Sequence, residues 1–275
     1  MKNMALVPIE SSFIDTRNDE DELLDSCFHA TIILIDLCNS TKLKQDSIFP
    51  KWVFLLKDFF DTITRVFNEK KIFPIKYLGD AILFMIPDQQ DCRTNKYLQA
   101  NEKIMPPITL KKVLETCVEV RDNWWLKNKK YTQHEETYKN FSSITISIDY
   151  GLVIDINQLN EGVNNDPLGT PVDRCFRISK YAGKNHIVCS NEFIKALRNE
   201  ERDYCEECFI SMNIDPPKGF DELTNVYVHK PSDDEQRWIL TYEYDKLVDG
   251  SDKPLNRKMQ THLLLQEVNK LKRGE

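Results

Sequence analysis

The sequence predicts an α+β sandwich, with helices laid against a mostly antiparallel sheet. Three observations carry that expectation. His29–Leu37 (HATIILIDL) is a continuous, β-rich apolar run, as a buried central strand requires. From Phe49 to Asn68, the apolar residues Trp52, Phe54, Leu55, Phe59, Ile63, Val66 and Phe67 recur at the spacing of one helix face. Lys71–Lys76 and Ala81–Ile86 then read as two short strands joined by Tyr77-Leu78-Gly79-Asp80, with a glycine in the turn.

The remaining elements continue the mixture. Leu110–Leu126 is helical, and Lys127–Asn140 is polar and exposed. Ser143–Leu152 (SITISIDYGL) alternates as a strand does. Glu161–Gly169 is a loop, Val172–Ala182 a helix, His186–Ser190 a strand, Asn191–Arg198 a short helix and Asn225–His229 a last strand. The order β, α, ββ, α, β, α, β, α, β places helices on the faces of one sheet. Residues 1–25 read as a polar N-terminal arm, 26–230 as the folded domain, and 231–275 as a C-terminal extension. In that extension Met259–Lys272 forms an amphipathic helix, which is expected to dock on the core because a lone short helix is marginal in water.

Bulk composition excludes some functions. A formal net charge of −7 argues against a protein that grips a nucleic-acid backbone or an anionic membrane. It leaves room for a single nucleotide held by a local cluster of lysine and arginine. No apolar run approaches the roughly 18 residues of a membrane span, and the acidic N-terminus has no signal-peptide core. The eight cysteines are scattered, mostly in apolar runs, and predict reduced core thiols in a cytoplasmic protein. Cys205-Glu206-Glu207-Cys208 is a lone CxxC. A structural zinc needs about four ligands, so plain helix-and-loop cysteines are expected there.

Two carboxylates stand out. Asp36 ends the apolar strand, and Asp80 follows Gly79 in the hairpin turn. A carboxylate at the end of a buried strand is costly unless it is paired or holds a metal. Two on neighbouring strand ends suit Mg²⁺ or Mn²⁺, whose shell is completed by phosphate oxygens and water. The alternative is that Asp36 caps the next turn and Asp80 is an ordinary turn residue.

Asp36-Leu37-Cys38-Asn39-Ser40-Thr41 resembles the strand–turn of class III adenylate and guanylate cyclases. Lys76-Tyr77-Leu78-Gly79-Asp80-Ala81 resembles that family's Lys-x-x-Gly-Asp-Ala hairpin. Asp166 to Ile178 (DPLGTPVDRCFRI) is similar to its Asp-x-x-Gly-x-x-Val-Asn-x-x-x-Arg block. Lys218-Gly219-Phe220, followed by Val226-Tyr227-Val228, is similar to its closing Lys-Gly-Phe and Val-Tyr segment. The four blocks occur in the family's order. The resemblance implies a cyclase catalytic domain with a ferredoxin-like core, converting a nucleoside triphosphate to a 3′,5′-cyclic nucleotide and pyrophosphate.

It also implies a homodimer packed head to tail, with each site between protomers. Asp36 and Asp80 would bind two divalent ions, Mg²⁺ or Mn²⁺, with the Leu37 carbonyl as a further ligand. The amides of Asn39, Ser40 and Thr41 would cradle the β- and γ-phosphates. From the other protomer, Lys218 would bind the triphosphate and Arg177 would stabilise charge on the transferring phosphoryl. Lys76 and Asp166 would touch the base. Asp173 stands where the family has Asn, and an ionised carboxylate cannot donate a hydrogen bond and repels phosphate. The family's HxG is here Asp149-Tyr150-Gly151.

Lys76 and Asp166 match the pair with which adenylate cyclases read adenine. Cytosine and uracil offer the same acceptor–donor complement. No sensor, receiver or membrane domain is expected from the sequence, and in this the chain resembles pyrimidine cyclases of bacterial antiphage systems. Those make cyclic UMP or cyclic CMP for a separate effector. The expected activity is therefore a pyrimidine cyclase, with an adenylate cyclase as the alternative. A nucleotide-binding sensor with the cyclase fold is a second alternative. A diguanylate cyclase lacks support because the GG-D/E-E-F signature is missing, and a polymerase requires a basic nucleic-acid track.

Overall fold

The chain's structure, a computed structural model, describes residues 26–38, 40–46, 51–91, 93–95, 98, 107–132, 143–155 and 166–230. The expected N-terminal arm, Asn39, residues 133–140 of the polar segment, residues 161–165 of the loop, and the C-terminal extension with its helix lie outside the described residues. In chain order the elements are β1 (Phe28–Leu37), α1 (Ser40–Asp46), α2 (Lys51–Glu69), β2 (Lys76–Leu78), β3 (Ala81–Pro87), α3 (Leu110–Thr132), β4 (Ile144–Asp155), β5 (Pro167–Leu168), α4 (Thr170–Ser179), β6 (Ile187–Cys189), α5 (Asn191–Glu200), α6 (Arg202–Cys208), β7 (Phe209–Asn213) and β8 (Asn225–His229).

The described strands form one sheet in the order β2-β3-β1-β4-β6-β8-β7, with β5 paired to the end of β4. Every pairing is antiparallel except β4 with β6. The continuous apolar character of β1 follows from its position between β3 and β4, covered on both faces. Its odd-numbered residues Ile33, Ile35 and Leu37 pack into a large core with α2, α3 and α5, through Phe59, Ile63, Phe67, Leu114, Trp124 and Phe193. Phe67 stacks on Phe84 at 4.0 Å between ring centroids, and Phe59 meets Trp124 edge-on at 5.4 Å. The even-numbered residues Ala30, Ile32 and Leu34 face the other way, with Leu83, Met85, Val153 and Cys175 of α4. Among the described residues, then, α2, α3 and α5 cover one face, and α4 lies on the other.

Several boundaries differ from the sequence reading. The strand expected over Lys71–Lys76 is confined to Lys76–Leu78. Lys71 takes a positive φ of 59° at the end of α2, and Pro74 has no N–H for a ladder, so the chain joins the sheet only after it. Helix α3 continues to Thr132, into the segment expected to be polar and exposed. Strand β4 continues to Asp155 because β5, within the expected loop, pairs with its end. Helix α4 starts at Thr170 and stops at Ser179; Pro171 sits in its first turn, where no backbone donor is lost. Helix α6 and strand β7 were not anticipated. The CxxC lies on α6, with Cys205 buried and both thiols free. Among the described residues, no helix is long and apolar enough to cross a membrane.

Candidate active site

The sheet register assembles the site on the face that carries α4. Asp36 continues the row of Ala30, Ile32 and Leu34, opposite Ala81 of β3 and Thr145 of β4. It is only partly buried, at the point where that apolar row runs out. Asp80 is brought beside it by the hairpin turn, and the Asp80 carbonyl accepts a 3.2 Å hydrogen bond from the Leu37 amide. Gly79 makes this turn at φ +67°, a conformation that favours glycine. The two candidate metal aspartates thus sit on adjacent strand ends.

Helix α1 closes over Asp80. The buried Ser40 donates its hydroxyl proton to one carboxylate oxygen. The Lys44 ammonium stands 3.6 Å from the other oxygen and 5.8 Å from the Trp52 ring centroid. Thr41 is exposed on the same helix. Among the described residues, no group of three or more metal-ligating side chains occurs. Two carboxylates nevertheless fit Mg²⁺ or Mn²⁺, which retain water and substrate oxygens in their shells.

Lys76 and Asp166, 90 residues apart, meet in an ion pair of 2.6 Å. Lys76 stands opposite Leu83, which places it in the same face as Asp36. Asp166 immediately precedes β5, which leads into α4. The pair is a donor beside an acceptor, both partly exposed.

Asp173 and Arg177 are exposed on α4, four residues apart and therefore on one side of the helix. Lys218 is exposed in the turn between β7 and β8, with Gly219 after it at φ +86°. In the sheet order, β4 and β6 lie between β1 and β8, so Lys218 belongs to a different part of the sheet from the aspartate pair.

How α4 is held was not anticipated from the sequence. Asp149, fully buried on β4, accepts a bidentate pair from Arg174 of α4, at 2.6 and 2.9 Å. It also accepts from the Ser190 hydroxyl at 2.5 Å and the Tyr150 amide at 2.6 Å. Arg174 approaches Glu192 at 3.5 Å, and Ser190 caps α5 by accepting from the Phe193 amide. Burial pushes the Asp149 carboxyl up to about 6, against the guanidinium, hydroxyl and amide that draw it down. Below this network, the Cys175 thiol donates to the Ser147 carbonyl at 3.3 Å, and burial raises its pKa to about 12. The alternation of this strand puts Asp149 in its polar row with Thr145 and Ser147, opposite the apolar Ile144, Ile146 and Ile148, and only the packing of α4 on that row buries it. Its partner could not be read locally.

No protein-family profile and no curated protein sequence matches the chain. Solved structures do. The adenylyl cyclase CyaB from P. aeruginosa superposes with a TM-score of 0.55 at 14% identity, covering 75% of this chain and 95% of that one. A crystallised guanylyl cyclase gives 0.56 at 16% identity, covering 75% and 96%. A bacterial light-regulated adenylyl cyclase gives 0.51 at 15%, covering 80% and 98%. The chain has the fold of a nucleotidyl cyclase catalytic domain. At these identities the likeness concerns the fold, and the α+β sandwich expected from the sequence is the one observed.

Proposed function

We propose that the chain is a nucleotidyl cyclase that converts a nucleoside triphosphate to a 3′,5′-cyclic nucleotide and pyrophosphate. The observation that carries this reading is the placement of Asp36 and Asp80 on adjacent strand ends of a cyclase fold, on the same sheet face as the Lys76–Asp166 pair. When bound by these aspartates and the Leu37 carbonyl, two divalent ions supply an acidified ribose 3′-hydroxyl and charge neutralisation for the pyrophosphate. The protein's own groups do the rest. The backbone at Asn39, Ser40 and Thr41 holds the β- and γ-phosphates. Lys218 of a second protomer binds the triphosphate, and its Arg177 presents a rigid guanidinium to charge growing at the α-phosphoryl. Asp173 accepts from the ribose. No covalent intermediate is required; positioning and electrostatics carry the step. The protein acts as a homodimer, because the site draws on both partners.

The substrate we assign is a pyrimidine triphosphate, UTP or CTP, with the product read by a separate effector in antiviral signalling. Asp173 and the Asp149-Tyr150-Gly151 segment, both departures from the adenylate cyclase pattern, support it. Adenine is the second reading. The Lys76–Asp166 pair favours it, since a donor beside an acceptor also complements adenine N1 and N6.

Incubation with Mn²⁺ and each of ATP, GTP, CTP and UTP, with products identified by mass spectrometry, tests both. Cyclic UMP or cyclic CMP is expected, absent in Asp36→Ala and Asp80→Ala. Cyclic AMP as the main product would replace the pyrimidine assignment. Nucleotide binding without any cyclic product would replace the enzyme reading with that of a sensor.

A further inference from the structure

We infer that Lys44 is a built-in counter-cation of the metal site, which a divalent ion must displace from Asp80 in order to bind. The inference rests on the reading of Asp36 and Asp80 as metal ligands.

Both oxygens of Asp80 already have partners. Ser40 donates to one, and the Lys44 ammonium faces the other at 3.6 Å. Ser40 and Lys44 lie four residues apart on α1 and so share a side of that helix. The Trp52 ring on α2 also approaches the ammonium at 5.8 Å, within the range of a cation–π contact. Lys44 therefore contacts both a carboxylate and an aromatic face. The setting is partly enclosed: the Lys44 side chain is 38% exposed and that of Asp80 27%.

A divalent ion and an ammonium cannot share one carboxylate oxygen without strong repulsion. The ion must turn Lys44 away, so its affinity for the nucleotide-free protein is lowered. Lysine suits the part, because a compact charge on a flexible stem can swing aside, and its three donors can take new acceptors such as phosphate oxygens. Metal arriving with a triphosphate gives the released ammonium a partner; metal arriving alone does not. Lys44 thereby favours joint loading of metal and nucleotide over metal alone.

The test is Mn²⁺ binding to nucleotide-free protein, followed by the paramagnetic resonance signal of the free ion. Wild type, Lys44→Met, Lys44→Arg and Asp80→Asn are compared, each checked for fold by circular dichroism. Lys44→Met is expected to bind Mn²⁺ roughly five- to tenfold more tightly, the scale of one partly exposed charge contact. Lys44→Arg, which keeps the charge, is expected to bind as wild type does. Equal affinity in wild type and Lys44→Met, with binding still lost in Asp80→Asn, would overturn the counter-cation and leave the metal site standing. An equal gain in Lys44→Arg would also overturn it, by showing that bulk rather than charge is responsible. Binding unaffected by Asp80→Asn would overturn the metal site and this inference with it.

Discussion

Arg177 is exposed near the end of α4, and no part of the core depends on its side chain. Its replacement therefore separates chemistry from stability. Arg177→Lys keeps the charge and loses the planar fork, which is what matters where charge is spread over phosphoryl oxygens. The expected outcome is a fall in kcat of about 10²–10³, the scale of losing one preorganised donor, with KM and melting temperature little changed. A fall in melting temperature with kcat intact would assign Arg177 a structural part instead. At this scale the sequence was most legible where the chemistry is local. Asp36, Asp80 and Gly79 lie in two short segments whose residue types already demand an explanation. Gly169 could be read as a motif residue, but its reason lies elsewhere in the chain. A Cβ there would stand 2.7 Å from the Leu152 carbonyl oxygen, so this glycine lets the start of α4 press against β4.

In the proposed reading, helix α4 is the element through which the fold addresses the substrate: it carries Asp173 and Arg177 outward and is tied down by Arg174 and Cys175 inward. Its existence was legible from periodicity. Its tether was not, because Asp149 and Arg174 are 25 residues apart and only the packing of α4 on β4 joins them. Strand β7 and helix α6 escaped for a related reason: short segments with little periodicity are settled by the neighbours they pair with, here β8. The buried pair has a consequence for pH. The Asp149 carboxyl lies at about 6 in the folded protein against an ordinary 3.8, so the folded state binds the proton more readily. Its contribution to stability is therefore full below the unfolded value and is lost as pH rises through about 6. Asp149→Asn cannot titrate. The melting-temperature advantage of wild type over Asp149→Asn is expected to grow as pH is lowered from about 7.5 to about 4. An advantage that shrinks on acidification would show that the ion pair with Arg174 outweighs burial.

For the whole molecule, the division of labour across the sheet matters most. The aspartate pair and α1 belong to the region around β1, β2 and β3, whereas Lys218 lies in the β7–β8 turn beyond β4 and β6. The proposed head-to-tail dimer joins the first region of one protomer to α4 and the β7–β8 turn of its partner, and a two-fold axis then creates two equivalent sites. That arrangement can be tested without a structure of the dimer. Asp36→Ala and Arg177→Ala are each expected to disable both sites of their own homodimer. Mixed in equal amounts and allowed to exchange subunits, half of the dimers become mixed. In each mixed dimer one site takes its aspartates from the Arg177→Ala protomer and its arginine from the Asp36→Ala protomer, and is intact; the other site carries both lesions. Activity is expected to return to roughly a quarter of wild type, and to fall on dilution below the dimer dissociation constant. If the mixture stays as inactive as its components while subunit exchange is demonstrated by mass, then the aspartates and Arg177 serve the same site from within one protomer, and the shared-site dimer is wrong.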